Sequence, residues 1–249
     1  MSIQEKIKNY WNHAAHRYSQ QIQKELNSFK REAWQALIKE YAPKGEKLTV
    51  LDVGTGPGFF PIILSDMGYE VTAIDCTENM LEEAKNNVSH AGFIVSFQQA
   101  DAQRLPFPEA SFDLIICRNL VWTLPDPLTA YQEWYRVLKP GGRVLVFDAN
   151  WCLRLNDPEL QRQYEEDQKR AKELGYENPH NKANMQESEN ISKNLFLSSK
   201  LRPNWDLEAF VQCQYKKVFL DRDVIERVWD DEQKVLYRCT PMFLVGAEK

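Results

Sequence analysis

Short apolar runs alternate with amphipathic stretches over most of the first 150 residues. Residues 50–53, 71–75, 94–98, 112–117 and 143–148 read as five β-strands. The fourth, Phe112-Asp113-Leu114-Ile115-Ile116-Cys117, is nearly all apolar, as a strand buried on both faces of a parallel sheet is. Helices are predicted over 59–67 and 127–138, and two more, over 3–22 and 26–41, precede the first strand. In the second of these, Leu26, Phe29, Ala33, Leu37 and Ile38 form an apolar stripe, the pattern of a core-facing helix. Strands alternating with helices predict a doubly wound, mostly parallel α/β sheet.

After residue 150 the pattern changes. Asp157-Pro158 opens a charged helix reaching about Leu174, because proline suits a first helical position. Gly175 to Asn194 is polar, with the composition of a mobile loop or lid. A last large helix over 205–215, a strand over 217–220, a short helix over 224–229 and a final strand over 241–247 complete the chain. Four regions follow: N-terminal helices (1–43), a core (44–150), an insertion that makes a substrate lid (151–205), and a segment completing the sheet (206–249).

Chemistry concentrates where strands end. Val50-Leu51-Asp52-Val53 runs into Gly54-Thr55-Gly56-Pro57-Gly58, and an apolar helix opens behind. Glycine lets a ligand approach the backbone closely, and the helix start aims unpaired N–H groups at it. Asp75 ends the second strand about twenty residues on, the spacing at which such a sheet presents an acid to a ribose diol. A nicotinamide-binding loop would carry its third glycine one place later. A phosphate-binding P-loop needs Lys-Ser or Lys-Thr where Phe59-Phe60 stand.

Glycine loop, ribose acid, second acid (Gln99-Ala100-Asp101-Ala102), apolar strand, Leu138-Lys139-Pro140-Gly141-Gly142 turn and strand follow one another in an order that closely resembles the class I S-adenosylmethionine-dependent methyltransferases. Within them it is similar to the small-molecule group (methyltransferase type 11, UbiE-like). The resemblance covers about residues 45–150 and resumes at 241–247, similar to the family's last, antiparallel strand. It implies a Rossmann-like, seven-stranded sheet with S-adenosylmethionine at its edge. Asp52, Gly54, Thr55, Gly56 and Gly58 would then contact the methionine part. Asp75 would accept from both ribose hydroxyls, Cys76 and Met80 would line the adenine, and Asp101 with Ala102 would meet its amino group. A carboxylate is acceptor-only and suits these roles; the alternative for Asp101 is a turn or helix cap. Tyr10 and Tyr18, on a first helix that folds over the cofactor, would close the site.

The acceptor pocket is expected at the same edge. Arg118, Asn119 and Trp122 follow strand four, and Asp148 and Trp151 end strand five, so these five are expected to face substrate, Arg118 also reaching the cofactor. Asp148 is the expected proton acceptor, with His16 or His13 closing from above. The alternatives are an ion pair for Arg118, packing under the insertion for the tryptophans and solvated histidines. A sulfonium methyl is already activated, so in-line displacement needs positioning and water exclusion before any triad. The runner-up function is a non-catalytic S-adenosylmethionine-binding regulatory or scaffold protein.

Composition narrows the partners. The 249 residues carry a formal net charge of -5, which disfavours nucleic acid. Strand four lacks the Asn/Asp-Pro-Pro-Tyr/Phe and Pro-Cys motifs of nucleic-acid methyltransferases. No signal-peptide pattern or membrane-length apolar run is present, so a soluble cytoplasmic enzyme acting on a small molecule is expected. Five cysteines without a CxxC pair suggest neither disulfides nor a metal site. Cys76, Cys117 and Cys152 all lie near strand ends, where thiolate chemistry and simple packing both remain open.

Overall fold

A computed structural model of the protein describes residues 2–176, 178 and 182–249. Helices α1 (Ile3–Leu26) and α2 (Lys30–Tyr41) precede the core. The core runs β1 (Thr49–Val53), α3 (Phe59–Asp66), β2 (Glu70–Asp75), α4 (Glu78–His90), β3 (Ser96–Gln99), β4 (Phe112–Arg118), α5 (Pro127–Val137) and β5 (Leu138–Asp148). Then follow α6 (Pro158–Glu173), α7 (Lys182–Ser192), α8 (Asn204–Gln212), β6 (Lys217–Asp221), α9 (Val224–Val228), α10 (Asp231–Leu236) and β7 (Phe243–Glu248).

The strands form one sheet in the order β3-β2-β1-β4-β5-β7-β6. Pairs from β3 to β5 are parallel, and β7 runs antiparallel between β5 and β6. This is the Rossmann-like doubly wound sheet with an antiparallel last strand. The chain winds away from β1 in both directions, so the carboxyl ends of β1 and β4 border the switch point where such sheets bind ligands.

Both faces of the sheet are covered, which explains the apolar character of its central strands. On one face Trp34 of α2 meets Phe147 of β5 edge-on at 4.8 Å and Phe60 of α3 at 5.4 Å. On the other, Tyr131 of α5 stacks on Phe210 of α8 at 4.4 Å. The α2 stripe departs from expectation at one end. Phe29 precedes the helix and is 54% exposed, while α2 buries Trp34, 1% exposed, together with Leu37 and Ile38 of the expected stripe. Ile94 likewise stands outside β3, 99% exposed. The Gly-Gly turn is absorbed into β5, whose first residue pairs with Phe112 across an irregularity in register. Within the polar stretch expected as a loop, 182–192 form α7, which contacts α1; residues 177 and 179–181 of that stretch lie outside the described residues. Helices α4 and α10 are additional to the elements expected from the sequence.

A buried charge cluster fixes the end of β5. Arg202 donates from Nη1 to Asp148 (2.6 Å) and from Nε and Nη2 to Asp206 (2.9 and 2.8 Å), with all three side chains at most 1% exposed. The Tyr131 hydroxyl also donates to Asp206. One guanidinium thus joins β5, α8 and the segment that returns from the insertion. Removing one partner of such a cluster strands uncompensated buried charge. Arg202→Met should therefore lower unfolding free energy by about 3–5 kcal/mol in urea titration; a loss below about 1 kcal/mol would mean that the carboxylates are relieved by water or protonation.

Candidate functional site

The loop after β1 is shaped by its neighbours. Gly54 has φ +69°, and a Cβ there would lie 2.7 Å from a Leu120 methyl carbon. Gly58, at φ +91°, sits where a Cβ would stand 3.1 Å from the Ala84 backbone, so it permits the approach of α3 to α4. It does not line the cavity described below. The expected ligand contact at Gly58 is corrected to helix packing. Parallel pairing of β1 with β2 brings Asp75 beside this loop. Its Oδ2 accepts from Gly56 N–H (3.0 Å), and its Oδ1 accepts from Thr77 N–H (2.9 Å) and hydroxyl (2.7 Å).

A first chamber opens over these carboxyl ends. Asp52, Gly54, Thr55 and Gly56 form its floor, and Asp75, Cys76, Met80, Asp101 and Ala102 one side. Residues 118–120 form the other side, and α1 roofs it with Gln4, Ile7, Trp11, Tyr18 and Ile22. The roof is tied down at several points. Gln4 Nε2 donates to Asp101 Oδ2 (2.6 Å), Asn87 Nδ2 to Ser19 Oγ (2.9 Å), and Arg118 Nη1 to Glu25 Oε2 (2.7 Å). The Arg118–Glu25 pair is buried, with the guanidinium 3.8 Å from the Phe59 ring centre.

A second chamber lies beyond Arg118 and Asn119. Trp11, Trp34, Trp122, Trp151 and Trp229 line it, with Tyr10, Tyr18, Tyr164 and Tyr237. Its charged groups are Arg17, Arg118, Arg154, Glu25 and Glu189, and its amides Gln21, Asn119, Asn178 and Gln233. Among the described residues, five buried side-chain polar atoms have no hydrogen-bond partner. Four of them, Asp52 Oδ2, Thr55 Oγ1, Asn119 Oδ1 and Gln233 Oε1, belong to chamber-lining residues. Native interiors leave few such atoms, and a ligand with polar groups is the economical reason to keep them.

The structure brings most of the expected cofactor residues together and separates the rest. Asp52, Gly54, Thr55, Gly56, Asp75, Cys76, Met80, Asp101, Ala102, Arg118 and Tyr18 line the first chamber. Tyr10 lines the second; Trp11, one residue on, faces both. Asn119, Trp122 and Trp151 reach the second chamber as expected for substrate residues. Three expectations of catalysis are corrected. Asp148 is fully buried and accepts from Arg202, Trp122 N–H, Ala149 N–H and Trp151 Nε1, so it faces no ligand. Burial does push its carboxyl up, but away from either chamber. His16 is 77% exposed and contacts Glu83, and His13 binds the Asn9 carbonyl on the outer side of α1. Burial pushes the Cys76 thiol up to about 12 and Cys152 up to about 11, which disfavours a thiolate at either chamber wall, and Cys117 is buried in the sheet.

Burial pushes the Asp52 carboxyl up to about 7. In the unfolded chain it ionises in the usual carboxylate range, near 4. The folded state then loses stability as pH rises from about 4 to about 7, where the buried group finally ionises. Asp52→Asn should accordingly stabilise the unliganded protein more at pH 8 than at pH 5, by at least about 1 kcal/mol in urea titration. An equal effect at both pH values would show that Asp52 is not strained by its burial.

Residues 51–146 match the family model described as a methyltransferase domain. The uncharacterized methyltransferase YcgJ of Bacillus subtilis is 37% identical over 122 residues, which cover 44% of this chain and 48% of that protein. The demethylmenaquinone methyltransferase of Staphylococcus aureus is 35% identical over 155 residues, covering 58% and 61%. The chain spans about half the length of the curated relatives it matches. The crystal structure of an S-adenosylmethionine-dependent methyltransferase from Aquifex aeolicus shares the fold, with a TM-score of 0.55 at 21% identity over 92% of this chain and 97% of that one. Over its core, residues 51–146, the chain thus carries a methyltransferase domain similar to those of S-adenosylmethionine-dependent methyltransferases.

Proposed function

We propose that the protein transfers a methyl group from S-adenosylmethionine, held in the first chamber, to a small-molecule acceptor held in the second. The observation that carries this reading is the junction. Trp11, Tyr18, Arg118 and Asn119 line both chambers, so the two meet beneath α1. A protein that only held the cofactor would have no use for the second chamber. The relatives named as demethylmenaquinone methyltransferases support a small-molecule acceptor.

The residues of the first chamber fit the cofactor. The unpartnered Asp52 Oδ2 suits an ammonium group. Asp75, fixed by Gly56 and Thr77, retains acceptor capacity for a ribose diol, and Met80 with Ala102 offers apolar contact to a base. When bound, S-adenosylmethionine supplies an activated sulfonium methyl for in-line displacement. The chain's own part is to hold the acceptor at the junction and to exclude water there. Helix α1 does the second, through Arg118–Glu25 and Gln4–Asp101. Among the described residues both carboxylates lining the second chamber, Glu25 and Glu189, are paired with arginines. Positioning, rather than a strong base, is what this chamber provides.

Asp75→Ala should weaken S-adenosylhomocysteine binding by about 1.5–3 kcal/mol in titration calorimetry, the scale of hydrogen bonds to a charged group. A loss below about 0.5 kcal/mol would remove Asp75 from the cofactor shell. The activity itself is tested by incubating the protein with methyl-labelled S-adenosylmethionine and metabolite extracts. A labelled small molecule above the no-protein control is expected; absence of cofactor binding, with tight nicotinamide binding instead, contradicts the reading.

A further inference from the structure

Most of the second chamber's wall is aromatic. Five of the chain's seven tryptophans line it. Three of them, with neighbouring tyrosines, form two clusters from distant parts of the chain. On α1, Tyr10 meets Trp11 at 5.2 Å and Trp11 meets Tyr18 at 6.0 Å. On the opposite segments, Tyr237 meets Trp151 at 5.5 Å and Trp229 at 5.7 Å. Aromatic rings with unfilled faces favour flat ligands that stack or meet them edge-on.

Charge then separates one class of flat ligand from another. Three arginines and two glutamates line the chamber. Arg118 pairs with Glu25, and Arg154 with Glu189. Arg17 lines the chamber with no carboxylate partner among the described residues. It stands in one i, i+4, i+8 row of α1 with Gln21 and Glu25, about 12 Å along the helix from Glu25, the partner of Arg118. At the junction itself, the buried Asn119 Oδ1 has no partner. Asn119 is held there by a left-handed backbone (φ +56°) and its N–H bond to the Phe147 carbonyl (2.9 Å).

We infer that the second chamber takes a planar aromatic acid, with its anionic substituent at Arg17, its ring between the two aromatic clusters, and a hydroxyl or amino hydrogen donated to Asn119 Oδ1. The inference rests on the methyl-transfer reading for naming this ligand the acceptor. A flat cationic amine would also suit tryptophan faces, but among the described residues it would meet a guanidinium without a carboxylate partner and no carboxylate without a cation.

Calorimetric titrations of the protein saturated with S-adenosylhomocysteine test this with four probes: 6-hydroxy-2-naphthoate, 2-naphthoate, 2-naphthol and 2-naphthylmethylammonium. The hydroxynaphthoate should bind about tenfold tighter than 2-naphthol, the scale of one charge-assisted hydrogen bond, and the ammonium weakest. Arg17→Gln should erase the advantage of the carboxylate and leave 2-naphthol and S-adenosylhomocysteine unchanged. Asn119→Gly, which tolerates the same backbone, should weaken 6-hydroxy-2-naphthoate but not 2-naphthoate. Equal affinity for naphthol and hydroxynaphthoate, tighter binding of the ammonium, or no arene binding to the loaded protein overturns the inference and leaves the methyl-transfer reading standing. Failure of S-adenosylhomocysteine to bind overturns that reading, and the acceptor claim with it.

Discussion

The ion pair between Arg118 and Glu25 is the constraint on which the site depends. Both side chains are about nine-tenths buried, and the guanidinium lies against the rings of Phe59 and Trp34. Removing one partner of such a buried pair leaves the other charge uncompensated. Arg118 ends β4 at the middle of the sheet; Glu25 ends α1. The pair therefore ties the roof helix to the central strand β4, at the place where the two chambers meet.

The sheet edge supplies the other half of the arrangement. Parallel pairing of β1 with β2 and with β4 sets the glycine loop, Asp75 and Asn119 around one opening. At the far side, the Arg202 cluster holds the end of β5 and, through Asp148, the backbone of Trp122 and the indole of Trp151. Asp148 thus shapes the second chamber without touching its contents. Aromatic residues from α1, from the segment after β5 and from the chain near α10 then converge on a volume that no single region could enclose.

Sequence made the first chamber legible because its parts recur at short, fixed spacings. The glycine loop directly follows an apolar strand, Asp75 ends a recognisable strand, and Asp101 follows another closely. Gly58 was the exception: its partner is Ala84 on α4, a contact that no spacing encodes. Asp148 reads as a substrate-facing strand-end acid because Arg202, 54 residues away, is invisible in local pattern. His13 and His16 share a helix face, but the phase that places Trp11 and Tyr18 inward turns both histidines outward. Trp229, Tyr237 and Gln233 enter the site only because β7 returns beside β5. Their signal was aromatic content near the C-terminus, which sequence alone equally assigns to core.

The two-chamber account is tested most directly by a crystal structure of the protein with S-adenosylhomocysteine. The account predicts the ribose on Asp75, the base beside Met80 and Ala102, and the sulfur facing Asn119 at the opening into the tryptophan-lined chamber. A ligand seated elsewhere, or a sulfur turned away from that opening, would contradict it.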